Sequence, residues 1–337
     1  MRLLFLLLFA LPAMAQPVLD GGAVPGLTEE GRAAYASFLR TNLPRAFAIG
    51  GTGGGSGGGT GAYGWSGGSA SAVVAQRSAL DGCAKRGATD CRLYATDLSV
   101  AGQPPPPLPP GALQSTWNYS VDPDIRYIWR GPAAAAGVYV WCHGTSGDVD
   151  SRGKQPQPHV RQFNNAGYDV VRFDRDPMAD RDRVRAAGWL ADTLTDLRAR
   201  GYRRIVVGGQ SRGAWTALMM LATPGLADVV IAVSPAAHGS GGSTNLSAQY
   251  DDLRQLISGV RPARTRVAFV QFAADPFAGD LAGRRALIEQ LRPTVGGLLT
   301  IDQPPGFTGH FGGNSAHFAE QFGPCLLRFA TGGPDHC

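Results

Sequence analysis

Through about the last two thirds of the chain, short apolar runs alternate with longer segments that have helical spacing. Strands that are buried on both faces of a parallel sheet are near-continuous apolar runs, so this alternation predicts an α/β fold with a mostly parallel central sheet and helices on both faces. We predict strands at 138–142, 169–173, 204–207, 229–233, 267–272 and 298–301, with an earlier edge strand at 127–129. The predicted helices are 184–197, 214–221, 250–257, 281–291 and 315–329.

The chain before this region has a different composition. A helix is predicted at 28–39, followed by residues 50–61, which are almost entirely Gly, Ser and Thr and are expected to form a mobile loop. No convincing strand precedes this loop and no Gly-Lys-Ser/Thr follows it, so nucleotide binding is not expected there. The proline-rich stretch 104–111 is interpreted as a linker between an N-terminal segment, 16–103, and an α/β domain, 112–337.

The first fifteen residues have the pattern of a secretory signal peptide. Arg2 precedes the apolar run 3–11, and Ala13-Met14-Ala15 forms a small-x-small cleavage site after Ala15. The run is shorter than the roughly 20 residues of a membrane-spanning helix, and no later segment is long enough to span. We therefore expect a secreted or periplasmic protein without a transmembrane segment.

Export permits disulfides, and the chain has five cysteines. Cys83 and Cys91 lie close together in a polar stretch and are predicted to pair, while Cys325 and Cys337 could join the tail to the last helix. Cys142 lies within an apolar run and is the predicted free, buried thiol.

Charge and ligand spacing argue against other classes of function. The net charge of +5 is modest and its arginines are interspersed with aspartates, so nucleic-acid binding is not expected. No pair of His or Cys has a zinc-ligand spacing, so no metal is expected.

The pattern Gly-x-Ser-x-Gly occurs around Ser56, Ser66 and Ser211. Only Ser211 follows an apolar strand, 204–207, and precedes a helix at once, as the sharp strand-to-helix turn of a nucleophilic serine requires. Gln210 occupies a position that must be glycine in the competing dinucleotide-binding motif. A structural turn or a cofactor-binding loop remains the alternative.

A nucleophilic serine needs a base and an orienting acid, which follow it in the order Ser, Asp, His in this type of fold. Asp275 comes directly after the strand 267–272 and is the predicted acid, with Asp280 in the same loop as the alternative. His310 lies in a glycine-flanked loop after the last strand and is the predicted base, with His317 as the alternative. The other four histidines do not fit this order.

The site also needs donors for a developing oxyanion. The backbone N–H of Arg212, directly after the nucleophile, is one candidate. The other lies in the glycine-containing turn after the strand 138–142, where Thr145 is preferred and Ser146 is the alternative.

From about residue 127 onward, the His143-Gly144 turn, the Ser211 motif, Asp275 and His310 resemble the α/β-hydrolase superfamily in their order. The resemblance implies an eight-stranded sheet and carboxylesterase-like hydrolysis through an acyl-enzyme, without a cofactor. About thirty residues separate the strands 229–233 and 267–272, so no large cap and an open site for a small or polymeric acyl substrate are expected.

Two other functions stay open at this level: a serine peptidase, and a secreted binding protein that keeps the hydrolase scaffold without catalysis. Residues 16–103 fall outside the resemblance, and their partner is unknown.

Overall fold

The computed structural model describes residues 16–51, 61–145, 150–238 and 245–337. The predicted signal peptide, Ser56, Ser146 and most of the glycine-rich run lie outside these residues.

The larger sheet has eight strands. They are β5 (Gln114–Ser115), β6 (Tyr119–Pro123), β7 (Gly137–Cys142), β8 (Tyr168–Arg175), β9 (Ile205–Gln210), β10 (Val229–Val233), β11 (Arg266–Gln271) and β12 (Gly297–Asp302). The spatial order is β12-β11-β10-β9-β7-β8-β6-β5, and only β6 runs opposite to the other strands. This is a mixed, mostly parallel sheet, and the predicted fold class is confirmed.

The helices cover both faces of this sheet. They are α3 (Val160–Asn165), α4 (Arg183–Ala199), α5 (Arg212–Met219), α6 (Leu246–Ser258), α7 (Leu281–Glu289) and α8 (Ala316–Ala330). Side chains of β7 alternate between the two faces: Val138 and Val140 pack with α4 to α7, whereas Tyr139 and Trp141 pack with α3 and α8. All six residues of β7 are buried, as expected of a central parallel strand.

The parallel register brings the carboxyl ends of the central strands together. Cys142 of β7 pairs with Gly209 of β9, and Gln210 pairs with Val233 of β10. Val233 in turn pairs with Val270 of β11. The loops that follow these strands therefore meet at one edge of the sheet, where open α/β sheets bind ligands.

The predicted edge strand at 127–129 is wrong. This segment has no strand, and the edge is formed instead by β6 and β5, which the sequence analysis did not predict. The apolar run at this position reflects burial and not a strand, because Tyr127 and Ile128 are both buried. Asn164 accepts a hydrogen bond from Ile128 N–H and donates one to Ile128 O, and the Arg161 guanidinium lies 3.9 Å from the centre of the Tyr127 ring.

Residues 16–103, here called the N-terminal unit, form a second, antiparallel sheet. Its strands are β1 (Ala46–Gly50), β2 (Ala62–Ser66), β3 (Arg92–Thr96) and β4 (Ser99–Val100), in the order β2-β1-β3-β4, with helices α1 (Glu29–Arg40) and α2 (Ala72–Ala84). The predicted helix at 28–39 corresponds to α1, whose N-cap Thr28 accepts a hydrogen bond from Gly31 N–H.

The expectation that no strand precedes the glycine-rich run is wrong. β1 ends at Gly50 and is buried along its whole length: Phe47 and Ile49 pack toward α1, while Ala46 and Ala48 pack toward α2. On the face toward α2 this strand carries only small residues, because the helix packs too closely for larger side chains. The strand therefore has no run of β-branched residues and was not recognised in the sequence.

The cysteines are paired as predicted. Disulfides join Cys83 to Cys91 and Cys325 to Cys337, and Cys142 is free and buried. Burial raises the pKa of the Cys142 thiol to about 12, so it is protonated at neutral pH. Among the described residues, none of the helices is both long and apolar enough to span a bilayer.

Candidate active site

Ser211 stands on a strained turn between β9 and α5. Its φ of 56° is in the left-handed region, which non-glycine residues rarely adopt. The turn is held on both sides, because Ser211 N–H donates to Val233 O over 3.1 Å and Ser211 O accepts from the N–H of Ala236 and Trp215. The backbone therefore fixes this serine at the edge where the strand ends meet.

Two glycines allow the turn to be this tight. A Cβ atom on Gly209 would lie 2.5 Å from Cys142 O, and one on Gly213 would overlap the same carbonyl. The end of β7 thus packs directly on the backbone of the nucleophile turn, as the small flanking residues of the Ser211 motif predict.

The loops that carry Asp275 and His310 are joined by backbone contacts. Ala273 and Thr308 form an isolated parallel bridge, and Gly309 N–H donates to Ala273 O over 2.8 Å. These contacts bring two residues that are 35 positions apart in the chain next to each other.

The pair itself is geometrically well defined. His310 Nδ1 lies 3.0 Å from both carboxylate oxygens of Asp275, and the two side chains are almost fully buried. Asp275 Oδ1 also accepts from Phe277 N–H over 2.8 Å, which fixes the carboxylate. Because Nδ1–H donates to Asp275, the other ring nitrogen, Nε2, is the one that can act as a base.

The alternatives to these two residues lie elsewhere. Asp280 is the N-cap of α7 and accepts from Gly283 N–H over 2.8 Å. His317 is exposed on the first turn of α8, where its ring stacks on Phe307 at 5.2 Å.

The candidate oxyanion loop follows β7 and passes beside the serine. A Cβ atom on Gly144 would lie 3.3 Å from Ser211 Cβ, so little space separates the two backbones. Thr145 comes next and lines the same cavity as Ser211. Arg212 is the first residue of α5, where N–H groups have no acceptor within the helix. The reserve candidate Ser146 lies outside the described residues.

His143 holds this loop rather than acting as a base. Its Nδ1 donates to Gly144 O over 2.7 Å, and its Nε2 accepts from Arg175 N–H over 2.9 Å. Burial, followed by the nearby positive charge of Arg175, lowers the pKa of His143 to about 3. His143 is therefore neutral at neutral pH, with both ring nitrogens occupied.

An ion pair that the sequence analysis did not predict supports the same loop. Arg175 Nε donates to Asp180 Oδ1 over 2.7 Å, and its Nη2 donates to His143 O. Asp180 Oδ2 accepts from the Thr145 hydroxyl. Burial alone would raise the pKa of Asp180, but the Arg175 guanidinium, the Thr145 hydroxyl and the charge of Arg212 together hold the pKa below its usual range, so the carboxylate stays charged.

Gln210 connects the Ser211 turn to the loop that carries His310. Its side-chain Nε2 donates to His310 O over 3.2 Å, so the residue before the serine also holds the main chain of the histidine loop. In the sequence, Gln210 was only an argument against dinucleotide binding. A long side-chain amide directly before the serine is the one sequence feature that could have suggested a hydrogen bond to a neighbouring loop.

The two residues expected to react line one cavity of about 580 Å³. Ser211 and His310 both line it, together with Gly144, Thr145 and Trp141. No hydrogen bond joins Ser211 Oγ to His310 within the described part of the chain; such bonds are often long before a substrate is bound. Asn42 of the N-terminal unit also lines this cavity, which the sequence analysis did not predict.

Three solved structures are similar to parts of this chain at low sequence identity. Est1E from Butyrivibrio proteoclasticus is 14% identical, covers 66% of this chain and 100% of its own, and has a TM-score of 0.46. The Pyrococcus furiosus esterase Pf2001 is 16% identical over 63% of this chain and 86% of its own, with a TM-score of 0.43. A protein described as a dienelactone hydrolase from Klebsiella pneumoniae is 11% identical over 59% of this chain and 88% of its own, with a TM-score of 0.41.

No protein-family model matches the chain, and no curated protein matches it in sequence. The assignment of an α/β-hydrolase fold rests on this chain's own strand order and on the strained serine turn after β9.

Proposed function

We propose that the protein is an exported serine hydrolase that cleaves a carboxylic ester or a related acyl bond through an acyl-enzyme. The observation that carries this proposal is the strained turn of Ser211 in the same cavity as the buried His310–Asp275 pair. Strain at a single non-glycine residue is maintained only where the surrounding structure holds it, and it is concentrated at functional sites.

In the proposed reaction, the Ser211 hydroxyl attacks the acyl carbonyl while His310 Nε2 accepts its proton. His310 then gives that proton to the leaving alcohol. Asp275 keeps the imidazole in the tautomer with Nδ1 protonated and stabilises the imidazolium that forms. Water attacks the acyl-enzyme in the same way and releases the acid.

The backbone N–H groups of Arg212 and Thr145 are proposed to bind the oxyanion. The loop that carries Thr145 is fixed from behind by His143, Arg175 and Asp180, so its amide is oriented before the substrate arrives. Preorganised donors of this kind are worth about 2.7–4 kcal/mol each in transition-state stabilisation.

Export is proposed from the leader in the sequence and is supported by the two disulfides, which form and persist in oxidising compartments.

Substitution of the serine tests the reaction. Ser211→Ala is expected to lower kcat/KM for p-nitrophenyl acetate by at least about 10⁴-fold, because it removes the nucleophile. Labelling by a fluorophosphonate probe should be lost as well. The matched control is Ser66→Ala, which changes the serine of a second Gly-x-Ser-x-Gly pattern on β2 and should leave both signals unchanged.

Full activity in Ser211→Ala would end the proposal. Wild-type protein that neither reacts with the probe nor cleaves the ester would instead favour a binding protein on a hydrolase scaffold. Turnover of amides in preference to esters would favour the peptidase.

A further inference from the structure

The N-terminal unit contacts the candidate active site through the turn between α1 and β1. Asn42 lies in this turn and lines the cavity, and its main-chain oxygen accepts from Gly68 N–H over 2.7 Å. This bond anchors Asn42 within its own unit. Its side-chain Nδ2 donates in the other direction, to Pro156 O over 3.1 Å.

Pro156 belongs to a cavity wall formed by residues 154–158. The Gln155 side chain also faces the N-terminal unit: when its amide is oriented so that nitrogen and oxygen both find partners, the nitrogen donates to Leu43 O over 3.1 Å and the oxygen accepts from Leu43 N–H over 3.2 Å. Pro156, Gln157 and Pro158 are buried. Residues 42 and 43 of the N-terminal unit therefore contact this wall directly and hold it in place.

The same wall leads to the base. Gln157 Nε2 donates to Asn314 Oδ1 over 2.6 Å, and Asn314 lies four residues beyond His310. Asn42, Gln157 and Asn314 line the same cavity as His310, so the wall and the base face one space. In the proposed reaction, His310 protonates the leaving alcohol, so the alcohol portion of the ester must lie along this wall.

The chemistry of the wall indicates what that alcohol carries. Its amides can each donate and accept, which suits hydroxyl groups, and Gln157 Oε1 is buried without a donor within the described chain. Among the described lining residues, Lys154 is the one with a full positive side-chain charge, and none is a carboxylate. Trp141, Phe277 and Phe311 provide apolar surface in the same cavity.

We propose that the N-terminal unit forms part of the substrate-binding site, in which Asn42 and the wall 154–158 bind an alcohol that carries several hydroxyl groups. This inference rests on the proposed hydrolase function. It makes Asn42 a residue that determines specificity, 169 positions before the nucleophile in the sequence.

Two acetate esters of similar size test this inference: a monoacetylated methyl glucoside and cyclohexyl acetate. Wild-type protein should have the lower KM for the glucoside ester. Asn42→Ala should raise that KM about fivefold, the equivalent of one neutral hydrogen bond, with kcat within twofold. The KM for cyclohexyl acetate should not change. Asn42→Leu should reverse the preference between the two esters.

Asn165→Ala is the matched control. Asn165 Nδ2 donates to Leu39 O over 2.8 Å, so this variant also loses one hydrogen bond between the N-terminal unit and helix α3, but Asn165 does not line the cavity. Its KM values should equal those of the wild type. Thermal unfolding of all variants verifies that they are folded.

Equal effects of Asn42→Ala on the two esters, or no effect on either, would overturn the inference. So would wild-type protein that cleaves p-nitrophenyl acetate but does not prefer the glucoside ester. Failure of the proposed function has a different signature, because p-nitrophenyl acetate would then not be cleaved by any variant.

Discussion

Two loops carry a histidine to the same cavity, and the two histidines are equally buried. His143 and His310 each expose 6% of their surface, and both line the cavity next to Ser211. His143 bonds to a main-chain carbonyl and a main-chain N–H, which occupy both ring nitrogens. His310 bonds to a carboxylate through one nitrogen, and its other nitrogen has no hydrogen bond within the described residues. Two histidines with the same exposure thus differ in their hydrogen-bond partners, and that difference leaves a ring nitrogen available only on His310 of the two.

The strongest test of this difference is to remove each imidazole in turn. His310→Gln should lower kcat/KM for p-nitrophenyl acetate by at least about 10⁴-fold, because the serine then has no base. His143→Gln should cost at most about a hundredfold, since it disturbs only the loop that carries Thr145. Steady-state kinetics of both variants measures which of them loses more kcat/KM, and an equal loss in the two would contradict the assigned roles.

Substitution of the acid sharpens the comparison. Asp275→Asn should reduce kcat by about 10³–10⁴-fold, because an amide at this position favours the wrong tautomer of His310. Asp280→Asn is the control in the same loop. It should leave kcat unchanged, since asparagine also caps helices well. A large loss in Asp280→Asn together with an active Asp275→Asn would reassign the acid.

The pH dependence of stability tests the neutral state of His143. Its folded pKa of about 3 lies below the unfolded value of about 6.5, so the unfolded chain binds a proton first as the pH falls. Stability from this group is complete above pH 6.5 and is lost toward pH 3. Between pH 7 and pH 5, the wild type should lose about 2 kcal/mol more unfolding free energy than His143→Gln.

Urea unfolding at the two pH values measures that difference, and the same protocol on His317→Gln, which changes an exposed histidine, provides the reference. Parallel curves for the wild type and His143→Gln would show that His143 is not held neutral by the fold.

The larger sheet could be predicted from sequence because its signals are local. Strands buried on both faces leave apolar runs, and the turn around Ser211 requires small residues on either side of a serine. The alternation failed at the edge of the sheet, where β5 and β6 are partly exposed, and it did not predict the six-residue helix α3.

Other features depend on contacts between distant residues and leave no such pattern. The α1–β1 turn meets the cavity wall across 114 positions, and Arg175 reaches the His143 loop across 32. Asp275 and His310 could be proposed from chain order alone, but their pairing depends on the bridge between Ala273 and Thr308, which no short motif encodes.

The backbone contact between Gly213 and Cys142 O has a consequence for how substrate range can diverge. Ser211 and the strand leading to the candidate oxyanion loop are kept in register by main-chain packing, whereas much of the cavity lining consists of side chains. If the proposed reaction holds, substitutions in the lining can therefore change which ester is accepted while the spacing of the reacting atoms is preserved.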